Sequence, residues 1–182
     1  FNITNTGADG KGLSADLNVI LSGTAQISIT NSGSSGKAIK ADGNITIDGG
    51  TTTINLTGAT VLTATGSGFD PSYPSGLKAT GTITVNSGNI TVSGTSLATG
   101  TKGISADGNI TINGGIIQIT TVGNGAVYTN ESGVTDSYSS AAITTDANLV
   151  INGGTVTTTS SGTGGKGLKA DGSITIGTTT SN

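Results

Sequence analysis

The chain has 182 residues, 32% hydrophobic and 9% charged, and seven basic against ten acidic residues give a net charge of −3. This length and apolar fraction exclude a disordered chain and allow one domain with a real core, while the negative balance argues against nucleic acid as a partner. Cys, His, Met, Trp and Arg are absent, which excludes disulfides, thiolate or imidazole metal sites and histidine-based general-base chemistry.

The chain opens on a strand-like Phe1-Asn2-Ile3-Thr4, read as the start of a mature or trimmed product. The phrase Lys11-Gly12-Leu13-Ser14-Ala15-Asp16 then begins a repeat. It returns as Lys37-Ala38-Ile39-Lys40-Ala41-Asp42, Lys102-Gly103-Ile104-Ser105-Ala106-Asp107 and Lys166-Gly167-Leu168-Lys169-Ala170-Asp171. Degenerate copies stand at Ser75-Gly76-Leu77-Lys78-Ala79-Thr80 and Ala141-Ala142-Ile143-Thr144-Thr145-Asp146. Successive copies are 26, 38, 27, 39 and 25 residues apart, so a coil of about 26 residues carries insertions of about 12 in coils three and five. Each phrase is followed by an alternating strand, a Gly turn and a third strand, as in Gly43-Asn44-Ile45-Thr46-Ile47-Asp48-Gly49-Gly50 and then Thr53-Ile54-Asn55-Leu56.

Three short strands and three turns per coil predict an all-β solenoid, a right-handed parallel β-helix of about six coils in one domain over residues 1–182, with room to continue in a longer parent chain. Stacked coils turn repeat positions into columns: Leu13, Ile39, Leu77, Ile104, Ile143 and Leu168, then Val19, Ile45, Ile83, Ile110, Leu149 and Ile174, then Leu21, Ile47, Val85, Ile112, Ile151 and Ile176. An alanine column, interrupted by Thr145, keeps the interior narrow. Asp48, Asn86, Asn113 and Asn152 precede Gly turns and are expected to cap turn amides.

Five of the six phrases end in aspartate: Asp16, Asp42, Asp107, Asp146 and Asp171, with Thr80 breaking the series. Stacking would set these carboxylates about 5 Å apart. Repulsion at that distance, roughly 1 kcal/mol in water, is relieved by a Ca²⁺ held between them or by turn amides and flanking lysines. The insertions, Val61 to Pro74 and Thr121 to Ser139, hold every aromatic residue except Phe1: Phe69, Tyr73, Tyr128 and Tyr138. Their loops should lie about 10 Å apart on one side of the rod, where the rings either pack their own loops or serve as platforms for sugar rings. The outward residues Thr46, Thr84, Thr111 and Thr175 make a threonine file of the ice-binding kind, but Ile20 and Val150 interrupt it.

The joined pattern Lys-Gly-(Ile/Leu)-x-Ala-Asp-Gly-x-Ile-x-Ile-x-Gly-Gly, best at Tyr138 to Gly154 and Gly162 to Gly177, resembles the bacterial β-helical carbohydrate-binding domains whose fold is like that of polysaccharide lyases. The resemblance implies a secreted or cell-surface protein that binds cellulose or pectin-like polysaccharide without cleaving it. It also implies Ca²⁺ on Asp16, Asp42, Asp107, Asp146 and Asp171. The resulting expectation is a non-catalytic binding module or adhesin with ligand contacts at the four ring residues and at Lys40 and Lys78. It has no membrane insertion, since no apolar run is long enough to span a bilayer. Two alternatives stand beside it. A calcium-dependent lyase would take its base from the outward column Lys40, Lys78 and Lys169. A surface filament would stack end to end, because Phe1 and Gly177-Thr178-Thr179-Thr180 look like mid-coil strands without caps.

Overall fold

A computed structural model describes residues 1–177. The last three residues of the expected C-terminal strand end, Thr178 to Thr180, lie outside them. In chain order the strands are β1 (Asn2–Asn5), β2 (Lys11–Ala15), β3 (Val19–Asn31), β4 (Lys37–Ala41), β5 (Ile45–Leu56), β6 (Val61–Thr65) and β7 (Gly68–Ser72). They continue as β8 (Ser75–Ala79), β9 (Ile83–Gly94), β10 (Lys102–Ala106), β11 (Ile110–Ile112), β12 (Ile116–Thr121), β13 (Ala126–Thr129) and β14 (Thr135–Tyr138). The last five are β15 (Ala141–Thr145), β16 (Leu149–Ile151), β17 (Thr155–Ser160), β18 (Lys166–Ala170) and β19 (Ile174–Ile176).

The described residues form an all-β structure without helices, its strands parallel in two long sheets, compatible with a β-helix or solenoid. The repeat phrases pair as β2-β4-β8-β10-β15-β18, and the strands that follow them make a nine-stranded sheet. The chain therefore passes from the six-stranded sheet to the nine-stranded sheet and back in each repeat. The register places Leu13 on Ile39, Ile39 on Leu77, Leu77 on Ile104, Ile104 on Ile143 and Ile143 on Leu168, as the repeat predicts. The columns headed by Val19 and Leu21 pair in the same way. Ile39, Ile45, Leu77, Ile83, Ile104, Ile110 and Ile143 are wholly buried, and each contributes about 1.5–3 kcal/mol by leaving water.

Two local expectations are corrected. The second and third strands are separate only in the later coils. In β3, β5 and β9 they run on as one strand with a register shift near the turn glycines Gly23, Gly49, Gly50 and Gly88. The pairing survives because glycine absorbs the bend: Gly50, within β5, sits at φ +77°, and a Cβ there would meet the Ala25 carbonyl oxygen at 2.3 Å. Asp48, Asn86, Asn113 and Asn152 bond to one another rather than to turn amides. Asn86 donates to Asp48 at 2.6 Å, Asn113 to Asn86 at 2.7 Å and Asn152 to Asn113 at 2.8 Å. An amide has both a donor and an acceptor, so equivalent residues on neighbouring strands satisfy each other across the sheet. Thr145, the exception in the alanine column, is fully buried, and its hydroxyl donates to the Gly108 carbonyl at 2.5 Å.

Candidate functional site

The outer face of the six-stranded sheet gathers the chain's cations. Register aligns Lys11, Lys37, Ser75, Lys102, Ala141 and Lys166 in one column, and Ser14, Lys40, Lys78, Ser105, Thr144 and Lys169 in a second. These columns hold all seven lysines of a net-negative chain. Above them stand the two insertions, each folded as an antiparallel hairpin: β6 with β7 and β13 with β14.

The hairpins touch each other, which corrects the expected 10 Å separation. Phe69 bridges to Asn130, and the rings of Tyr73 and Tyr138 meet edge to face with centroids 5.9 Å apart. Tyr128 lies 6.2 Å from Tyr138. The cause is coil four, which lacks an insertion and leaves a gap across which its neighbours' hairpins lean together. Lys102, the lysine of that coil, fills the gap. Its ammonium lies 4.4 Å from the centre of the Tyr73 ring and donates to the Ser139 carbonyl at 2.5 Å, so one charge ties both hairpin bases. Lys37 does the same for the first hairpin alone, donating to the carbonyls of Ser35 at 2.6 Å and Tyr73 at 2.8 Å and to the Ser72 hydroxyl at 3.2 Å.

Burial pulls the ammonium pKa of both Lys37 and Lys102 down to about 8. For Lys102 the neighbouring Lys166 and Lys169 push the same way, and Asp146 pushes back. Desolvation also raises the Tyr73 phenol well above its usual range. Tyr128 is raised by desolvation and by its hydrogen bond to Asp136 at 3.2 Å.

Two adjoining cavities of about 300 and 460 Å³ form one trough beside the hairpin bases, sharing Tyr73, Lys78, Lys102 and Ser105. The structure thus brings Tyr73, Tyr138 and Lys78 together, and Ser105, Thr144, Lys166 and Lys169 join them. Phe69 and Tyr128 line a different cavity of about 250 Å³ nearer the hairpin tips, with Asp70, Glu131 and Asp136. Lys40 stands outside the trough, paired with Asp42. Sequence reasoning missed Lys102, although it opens the one complete phrase lying between the two insertions.

The aspartate ladder is in register: the backbone amides of Asp42, Asp107, Asp146 and Asp171 each donate to the penultimate residue of the phrase one coil below. Its carboxylates meet lysines. Asp42 pairs with Lys40, Asp171 pairs with Lys169 at 2.6 Å, and Lys78, which has Thr80 where its own coil's aspartate would be, reaches across to Asp107. Asp16 and Asp146 have no lysine partner among the described residues. Carboxylate and carbonyl oxygens are the donors a Ca²⁺ takes, but no three acidic side chains converge among the described residues. A cation here would rest on two stacked aspartates and turn carbonyls.

A cationic, tyrosine-walled trough on a rigid sheet is suited to holding a polar chain, with rings against sugar faces and ammonium groups against anionic substituents. Neither the curated proteins nor the solved structures compared with the chain give a match. A family model described as carbohydrate-binding domain-containing protein matches residues 56–182, well over half of the chain, which therefore belongs to that family.

Proposed function

We propose that the protein is a non-catalytic polysaccharide-binding module of a secreted or cell-surface protein. In this reading its strands wind as a right-handed parallel β-helix of about six coils, and its ligand lies in the trough between Tyr73, Lys78, Lys102 and Tyr138. The observation that carries the reading is Lys102 held between two tyrosine-bearing hairpins, a cation set beside aromatic faces. A uronate-bearing, pectin-like chain matches that chemistry, since its rings stack and its carboxylates meet ammonium groups. Titration calorimetry with polygalacturonate tests it. Tyr138→Ala should weaken binding about tenfold, the loss of roughly 1.4 kcal/mol of ring contact. Unchanged affinity would remove the trough from the function.

The non-catalytic part of the reading is supported by the lysines a lyase would use: Lys40, Lys78 and Lys169 are each engaged by an aspartate. Calcium belongs to the same proposal, held between Asp16 and Asp42 and along Asp107, Asp146 and Asp171. Support for it is the presence in each set of one carboxylate that no lysine neutralises. End-to-end stacking of copies is the structural alternative. It is favoured by core-column residues left uncovered on the last described coil, Ile174 at 44% and Ile176 at 68% exposure, and sedimentation velocity over a concentration series decides it.

A further inference from the structure

An asparagine followed by glycine carries a reactive pair of groups. The glycine nitrogen, unhindered by a side chain, can attack the asparagine Cγ and expel the side-chain amide as ammonia. An N–H already held in a hydrogen bond must give that bond up first. The chain has three such pairs: Asn113-Gly114, Asn124-Gly125 and Asn152-Gly153. The structure separates them. Gly125 donates to the Thr163 carbonyl at 2.9 Å, and the Thr163 amide donates to Asn124 Oδ1 at 2.9 Å, so both reacting groups are held. Gly114 and Gly153 lie in turns between strands, and their N–H groups have no hydrogen-bond partner among the described residues. Asn113 and Asn152 are exposed, so water reaches both. The glycines after Asp9, Asp42, Asp107 and Asp171 are held as Gly125 is, each donating to a backbone carbonyl at 2.6–3.1 Å.

Both free glycines follow rungs of the asparagine ladder, and the ladder has a direction. Asn152 donates to Asn113, Asn113 to Asn86 and Asn86 to Asp48. As a carboxylate Asp48 only accepts, so every amide turns its nitrogen toward that end. At the other end Gly177 occupies the next ladder position and has no side chain to donate. Asn113 is therefore held through both its oxygen and its nitrogen, and Asn152 through its nitrogen alone. A carboxylate at either position has no hydrogen to give. At 152 it sets an oxygen against Asn113 Oδ1, where a hydrogen bond of 2.8 Å now stands, and at 113 against Asn86 Oδ1, where one of 2.7 Å stands.

We propose that Asn152 and Asn113 are modification sites, converted in that order to aspartate and isoaspartate, and that the ladder couples the two conversions. Gly153 N loses its proton to hydroxide and bonds to Asn152 Cγ. The Cγ–Nδ2 bond breaks and ammonia leaves, giving a cyclic imide. Water then opens the imide at either carbonyl, so the chain continues through the main-chain carbonyl carbon or through Cγ. The sum is a side-chain amide and a water exchanged for a carboxylate and an ammonium ion. The new carboxylate no longer donates to Asn113, which is left held through its nitrogen alone, the state from which Asn152 reacted. Gly114 then attacks Asn113 in the same way. Each event breaks one rung and adds a negative charge, so the ladder opens coil by coil from the Asn152 end. The inference is independent of the trough.

The test incubates the protein at mildly alkaline pH, folded and in guanidinium chloride, and follows each asparagine by peptide mass spectrometry. The mass gain of amide-to-carboxylate exchange reports conversion, and labelling by protein isoaspartyl methyltransferase reports the isoaspartate share. In denaturant the three Asn-Gly pairs should convert at similar rates. In the folded protein Asn152 should convert first and Asn113 after a lag. Asn124, which must release Gly125 before it can react, should be slower than Asn152 by about tenfold. Asn152→Asp should abolish the lag at Asn113. Asn152→Gln, which keeps a donating amide on a stem too long to cyclise readily, should lengthen it. Equal rates at the three pairs in the folded protein, conversion of Asn124 first, or a rate at Asn113 indifferent to both variants would each overturn the proposal.

Discussion

Lys102→Met separates what the buried ammonium does for the fold from what it does for binding. Methionine keeps the aliphatic stem and removes the charge. Burial has brought the Lys102 pKa from 10.5 to about 8. At about 1.4 kcal/mol per unit, burial together with the charges of Lys166 and Lys169 costs the folded state about 3 kcal/mol at neutral pH. Against this, the substitution removes the contact with the Tyr73 ring and leaves the Ser139 carbonyl without its donor, a loss of about 1–2 kcal/mol in all. The balance favours the variant by roughly 1 kcal/mol, a rise of about 2–4 °C in Tm for a chain of this size. The pH dependence carries the same sign. Between about pH 8 and 10.5 the folded lysine is neutral while the unfolded one is still charged. The unfolded state then binds more protons, and stability rises with pH. Affinity for an anionic chain falls through pH 8 as the same proton leaves. Calorimetric melts at pH 7 and 9.5, with polygalacturonate titrations alongside, should therefore move stability and affinity in opposite directions in the unaltered protein. In Lys102→Met the pH slope of stability should be smaller and affinity should already be weak at pH 7. A variant destabilised by more than 2 kcal/mol, or one that binds as tightly as the unaltered protein, would refute the reasoning.

Ile110→Ala, at a position of 0% exposure between the equally buried Ile83 and Leu149, should cost about 2–5 kcal/mol in urea unfolding, since stacked neighbours above and below cannot close the cavity. Gly103→Leu should be worse than its exchange for alanine at the equivalent Ala38 and Ala142 positions implies. Even a Cβ at Gly103 meets the Ile119 side chain at 2.4 Å and the Ala142 carbonyl at 2.5 Å, so failure to purify as a folded monomer, or a large drop in Tm, is expected. Asn113→Ala breaks two rungs of the amide ladder, but water reaches both, so chemical denaturation should show a loss of only about 0.5–1.5 kcal/mol. Millimolar Ca²⁺ should raise Tm by several degrees, with the rise reversed by EGTA and reduced in Asp146→Asn; a melt indifferent to both would dismiss calcium from the proposal.

The coil pairing was legible in the sequence because it depends on a local rule repeated six times. Apolar residues two apart must point inward, so Ile104 and Ile110 sit on the columns that their phrase assigns them. The site was only half legible, for a reason the same repeat makes clear. Stacking specifies which residues share a column, but an insertion leaves the column, and nothing in its own sequence says which way it leans. Tyr73 and Tyr138 are 65 positions apart and on different coils; their contact exists because coil four is short between them and because Lys102 draws both hairpin bases inward. The ladder of Asp48, Asn86, Asn113 and Asn152 was misjudged on the same ground. Read within one coil, an asparagine before a glycine turn has only that turn to bond, whereas in the stack its nearest partner is the asparagine of the next coil. Lys78 repeats the lesson, reaching past Thr80 to Asp107. A side chain in this architecture takes its partner from the adjacent coil whenever its own coil cannot supply one, so the binding chemistry is a property of neighbouring coils taken in pairs. For that reason a charge change at Lys102 should be felt in both hairpins, while one at Lys40, paired within its own coil, should not.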